Sequence, residues 1–163
     1  MSLQLFCDWL AATPASLLFQ TTSWVVPAVQ TVHILSIAVV ISAALLVHLN
    51  TLGLAMRSYS SAALAARFLP GLWWAVGVLL VSGSILVIAE PARSLPKGIF
   101  QLKMSLLIVA IALTLLYQLP MRKQPAHWQT TPARRMNARA IAILSLIIWC
   151  CIVFAGRWIA YVF

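Results

Sequence analysis

Four long apolar runs separated by short polar segments organise the chain. The first opens at Pro27 and continues to about Arg57, as "PAVQTVHILSIAVVISAALLVHLNTLGLAMR". The second covers residues 70–90, from Pro70 to the position before Pro91. The third covers 96–119, between Pro96 and Pro120, and the fourth covers 140–163. Each reaches the roughly 20 residues that a helix needs to cross the hydrocarbon of a bilayer. Proline at the head of the first three suits a first helical turn, where no intrahelical partner waits for its N–H. At about 1.5 Å per residue the first run would be roughly 45 Å long, so its last turns are expected to tilt or to project into water.

Ahead of these runs, residues 2–11 and 14–21 read as two short helical pieces broken at Thr13-Pro14. Leu3, Phe6 and Leu10 give the first an apolar side, with Gln4 and Asp8 polar. Neither piece is long enough to span, so both are expected to lie in the membrane interface. The segment also lacks a positively charged start and a long apolar core, so insertion through the chain's own spanning helices is expected rather than a secretory leader. The predicted fold is all-α: an integral membrane four-helix bundle with short N-terminal interfacial helices, forming one membrane domain over residues 1–163.

Composition strengthens this picture. Of 163 residues, 63% are hydrophobic and only 8% charged, against about a quarter charged in ordinary soluble domains. The formal net charge of +9 would suit nucleic acid. The basic residues, however, sit between the apolar runs and no recognition motif accompanies them, so they read as topology signals. Arg57 and Arg67 follow the first run, and Arg122, Lys123, Arg134, Arg135 and Arg139 fall between the third and fourth. The opposite side holds Arg93 and Lys97, with Lys103 and Arg157 just inside their spans. The positive-inside rule then predicts a bacterial inner-membrane protein with both termini periplasmic. Cys7, Cys150 and Cys151 form no metal or haem-attachment motif, and they read as buried free thiols.

Orientation gives each polar residue a depth. His33 falls about two turns into the first span from the outer side, Lys103 at a similar depth in the third and Arg157 near the end of the fourth, with Glu90 at the outer end of the second. Charge inside a span is costly, roughly 2.5–3.5 kcal/mol per residue on insertion scales, and usually marks function or pairing. Lys103 and Arg157 have stems long enough to snorkel to headgroups. His33 does not, and its plain alternative is a helix–helix hydrogen bond. The functional reading is a b-type haem: His33 as axial ligand, with Lys103 and Arg157 meeting the propionates. Ser82, Gly83 and Ser84 in the second span leave room for a flat macrocycle or for a closely packed helix.

His48 lies fifteen positions after His33, about 22 Å along the axis and roughly 60° around it. That separation resembles stacked haems in transmembrane cytochromes b, and it makes His48 a second candidate ligand and a candidate metal residue alongside His33. With His127 in the loop, the chain has only three histidines, so one protomer cannot hold two bis-histidine haems. One haem with Met104, a five-coordinate haem, or ligands shared between protomers remain open. Copper transport lacks a converging soft-ligand cluster. A proton or solute transporter lacks a mid-membrane carboxylate, since the only acids are Asp8 and Glu90.

Several motifs resemble those of a family of small four-helix bacterial inner-membrane proteins of unknown function. Trp24, Pro27, Gln30, His33, Leu52 and Gly53 stand at matching places, "FQLKMSLL" at 100–107 looks like that family's F-x-x-K helix start, and "AGRWIAY" at 155–161 looks like its G-R-x-I-x-Y ending. Here His48 stands where the family usually has Asp, and Asn50 where it has Arg, which removes an inner-side ion pair. The resemblance implies a four-helix fold and a site near His33, Lys103 and Arg157, and carries no activity.

The leading expectation is a haem b-binding electron-transfer or anchor subunit, working between a quinone and a periplasmic redox partner in a homo-oligomer or larger redox complex. It is more a non-catalytic subunit than an enzyme. A cofactor-free structural subunit is the alternative, and direct quinone chemistry at His33 is a third reading. The bilayer is the expected environment, and nucleic acid is not an expected partner.

Overall fold

The computed structural model describes residues 3–158. The helices are α1 (Leu3–Ala11), α2 (Pro14–Thr21), α3 (Val25–Thr51), α4 (Ser61–Ala89), α5 (Pro91–Ser94), α6 (Gly98–Lys123) and α7 (Pro132–Trp158), with a short 3-10 turn at His127–Gln129. No strand occurs among the described residues. By length and composition α3, α4, α6 and α7 are each able to cross a membrane. The two short N-terminal helices form as the sequence suggests: Thr13 caps α2 by accepting the Ser16 N–H at 3.4 Å, and Pro14 takes the first turn.

The helix ends differ from those expected. α3 stops at Thr51 rather than near Arg57, because Gly53 turns the chain at φ +74. The Asn50 amide then gathers the connection, donating to the carbonyls of Met56 at 2.8 Å and Tyr59 at 3.1 Å. Asn50 Oδ1 accepts from Ser61 Oγ at 2.8 Å.

Pro70 does not open α4. The helix starts at Ser61, capped by Ser60 Oγ accepting the Ala63 N–H at 3.1 Å, and Pro70 lies inside it. Proline deprives the carbonyl of Ala66 of its donor, and Ala66 is exposed near the helix end, where the loss matters least. α6 likewise runs through Pro120 to Lys123, closing with Gln124 N–H on the Pro120 carbonyl at 2.9 Å. α7 begins at Pro132, eight residues before position 140, so Arg134, Arg135 and Arg139 are helical rather than in a loop. Thr131 Oγ1 accepts the Arg134 N–H there at 3.3 Å. Residues 159–163, expected in the fourth span, lie outside the described residues.

The closest packing pairs α3 with α4 and α6 with α7, and α7 also lies along α3. Buried contact positions are often small, including Ala43, Ala44, Ala75, Ala110 and Ala142. Large apolar side chains such as Ile108 and Phe154 face outward, 67% and 73% exposed. This is the distribution expected in lipid, where close backbone approach gains more than burying another leucine. α4 and α6 are instead bridged by long side chains, with Trp73 Nε1 donating to Gln118 Oε1 at 2.8 Å.

The N-terminal pair has a specific task. The last carbonyls of α4 have no intrahelical donors, and in lipid no water replaces them. Ser16 Oγ donates to Ile88 O at 2.7 Å, and Gln20 Nε2 to Ala89 O at 3.1 Å. Cys7 is buried with its Sγ 3.8 Å from Pro91 O. α2 therefore closes the end of α4, an arrangement that the amphipathic pattern alone does not reveal.

Candidate functional site

At one end of the bundle, α3, α4, α6 and α7 bring His33, Ser82, Gly83, Lys103 and Gly156 together. His33 Nδ1 lies 2.8 Å from Ser82 Oγ. Ser82 Oγ is in turn 2.6 Å from the carbonyl of Val78, four residues earlier in α4. A hydroxyl has one proton, and the carbonyl can only accept. In the neutral imidazole, Ser82 therefore donates to Val78 O and His33 Nδ1–H donates to Ser82 Oγ. Nε2 is left with its lone pair. The hydrogen bond at one ring nitrogen selects what the other can do, as for histidines that hold metals.

Two glycines make the space. A Cβ at Gly83 would meet His33 Cε1 at 3.4 Å, and a Cβ at Gly156 would meet Lys103 Nζ at 3.4 Å. α4 thus approaches the imidazole directly, and the lysine tip rests on the backbone of α7. Lys103 is half-buried and close enough for its charge to be felt at His33. Of the small residues read from "VSGSILV", Ser82 and Gly83 face α3. Ser84 is exposed and donates to its own helix at Leu80 O, 2.8 Å away, so it takes no part.

The other expected residues fall as follows. Arg157 is exposed near the end of α7, beside Gly156 in sequence, and the Ile159–Tyr161 part of its motif lies outside the described residues. Glu90 is the C-cap of α4 and lines an open cavity of about 600 Å³ with Gln20 and Pro91.

His48 is buried at the far end of α3, packed edge-on against Tyr117 with ring centroids 5.5 Å apart. Among the described residues, its Nδ1 has no hydrogen-bond partner. His33 and His48 therefore address different neighbours, α4 and α6. Among the described residues, no group of three or more His, Cys, Asp or Glu could hold a metal ion.

The sequence reading missed the Trp73–Gln118 bridge and the role of Asn50. It noted Ser82 for its size, not as a partner for His33. A polar residue in an apolar span was the available signal in each case.

Fold and site together define an all-helical protein with four membrane-length helices and a half-buried polar cluster near one end. The chain belongs to the DUF6644 family, a family of unknown function, which matches residues 6–162. That agrees with the resemblance carried by Trp24, Pro27, His33 and the F-x-x-K segment. No curated protein and no solved structure matches the chain.

Proposed function

We propose that this chain is a haem b-binding membrane subunit that carries electrons between a quinone and a redox partner outside a bacterial inner membrane. The observation behind the reading is the His33–Ser82–Val78 chain, which holds the imidazole at Nδ1 and presents an unprotonated Nε2. An axial ligand to haem iron needs that nitrogen, oriented in that way. His33 would hold the iron, and Lys103 and Arg157 would meet the propionates. When bound, the haem supplies one-electron chemistry; the chain supplies the ligand, the countercharge and an apolar surround. His48 is left out of the ligand set, because Tyr117 packs on its ring and no partner orients its Nδ1. The end carrying Arg57, Arg122 and Arg135 would face the cytoplasm, with both termini periplasmic.

The test is an absorption spectrum of the full chain, purified from cells grown with ample haem, oxidised and then reduced. A Soret band is expected in the wild type and in His48→Ala, and is expected to be lost in His33→Ala. A colourless wild type overturns the proposal.

A second reading has its own observation. His33, Ser82 and Gly83 also form a complete helix-packing device, with Gly83 admitting the ring that Ser82 anchors. A cofactor-free structural subunit would need no more than this, and would purify colourless and bound to another chain.

A further inference from the structure

The opposite, basic end of the bundle holds a second cavity, of about 290 Å³. Arg57 from the α3–α4 connection and Arg135 and Arg139 from α7 all line it. The chain carries 11 Lys and Arg against 2 Asp and Glu. Both acids are distant: Glu90 caps the far end of α4, whose first residue Ser61 lines the cavity, and Asp8 sits in α1, which packs on α5. Among the described residues, no carboxylate side chain is placed to neutralise the three guanidinium groups.

The walls are held in place independently of any ligand. Tyr117 OH and Thr51 Oγ1 share a hydrogen bond at 2.5 Å. The Trp128 ring stacks on Tyr117, centroids 5.9 Å apart, and its Nε1–H donates to the Tyr117 carbonyl at 3.0 Å. Arg135 donates from Nε and Nη2 to the Gln129 carbonyl at 3.3 and 3.2 Å, fixing the turn beside it. Arg57 bonds back to the Gly53 carbonyl through Nε, and the exposed side chain of Arg139 lines the cavity from α7.

We propose that this cavity binds a phosphate-bearing anion, whose sources are a phospholipid headgroup or a soluble phosphate compound. Guanidinium forks match phosphate oxygens, and Tyr117 and Trp128 are the aromatic types enriched where headgroups meet the hydrocarbon. Basic pockets between spanning helices take anionic lipid headgroups by the same chemistry. Arg67, Arg122 and Lys123 lie at the same end but do not line the cavity, so they separate a formed site from general positive charge. The proposal does not depend on what His33 holds.

The experiment uses the full chain, purified in detergent and stripped of lipid. It is titrated separately with phosphatidylglycerol, phosphatidylethanolamine and inorganic phosphate. Native mass spectrometry counts retained lipid and thermal unfolding reports stabilisation. Phosphatidylglycerol is expected to be retained and to stabilise. Arg139→Gln is expected to weaken that effect roughly tenfold, the size of one charge-assisted hydrogen bond, while Arg67→Gln leaves it unchanged. Protection by inorganic phosphate without lipid retention supports the site and assigns it a soluble ligand. Equal weakening by Arg67→Gln and Arg139→Gln overturns the proposal. Lipid retention left unchanged by Arg139→Gln, with no effect of phosphate, overturns it too. If Arg139→Gln loses its helical signal, Arg57→Gln is the variant that decides.

Discussion

His33 and Ser82 are joined across the α3–α4 interface by a 2.8 Å contact between Nδ1 and Oγ. Because the serine proton is committed to Val78 O at 2.6 Å, the imidazole is the donor in that contact. One hydroxyl thus ties two helices together and decides which nitrogen of His33 faces outward. The sequence raised a choice between a ligand and a packing histidine; the packing bond is made through Nδ1 and leaves Nε2 for the proposed ligand role.

Ser82→Ala removes the acceptor that holds Nδ1. The expected loss is about 0.6–1.7 kcal/mol, the range for interhelical hydrogen bonds in membranes. Unfolding in mixed micelles measures it. With a bound haem, the variant should also show a shifted or broadened Soret band, because the ring can then change tautomer.

Gly83 and Gly156 test whether equal distances mean equal constraint. A Cβ at each would stand 3.4 Å from a neighbouring side-chain atom. At Gly83 that atom belongs to a ring held at Nδ1; at Gly156 it is the tip of a flexible lysine. Gly83→Val is expected to cost about 1–3 kcal/mol through overpacking. Gly156→Ala is expected to stay within about 0.5 kcal/mol of the wild type, as the lysine moves aside. Paired thermal melts in one detergent give the comparison.

Trp73 and Gln118 link α4 to α6 by a 2.8 Å hydrogen bond. Gln118→Leu strands the indole N–H and is expected to cost about 1–3 kcal/mol. Adding Trp73→Phe removes the stranded donor, so the double variant should be more stable than the sum of the single losses implies. Strict additivity in a double-mutant cycle would count against the bridge.

Asn50 supports the α3–α4 connection from both ends of its amide. Asn50→Ala leaves the carbonyls of Met56 and Tyr59 and the hydroxyl of Ser61 without that partner. The expected result is selective protease cleavage within residues 52–60 at little cost to total helix content, read by limited proteolysis beside circular dichroism.

The hydropathy pattern contained the four long helices and the interfacial pair, because lipid imposes a length and a composition that single residues seldom override. Prolines misled the reading at the boundaries. Pro70 and Pro120 sit within helices, while the hydroxyls of Ser60 and Thr131 mark the starts of α4 and α7. The grouping of His33 with Lys103 followed from depth along the spans. The partner at Ser82 did not, because the register between two helices depends on packing that neither one encodes alone. The cavity among Arg57, Arg135 and Arg139 was hidden for a related reason: Arg135 and Arg139 read as loop charge, whereas α7 begins at Pro132 and carries both.

The closure of α4 by Ser16 sets an order on biogenesis. The hydroxyl and its carbonyl partner at Ile88 are separated by 72 residues. At a synthesis rate of about 5–20 residues per second, the N-terminal pair waits roughly 4–14 s before its acceptor has been made. During that interval α2 lacks the carbonyls that Ser16 and Gln20 finally meet. The N-terminal pair therefore cannot take its final place until α4 has been made.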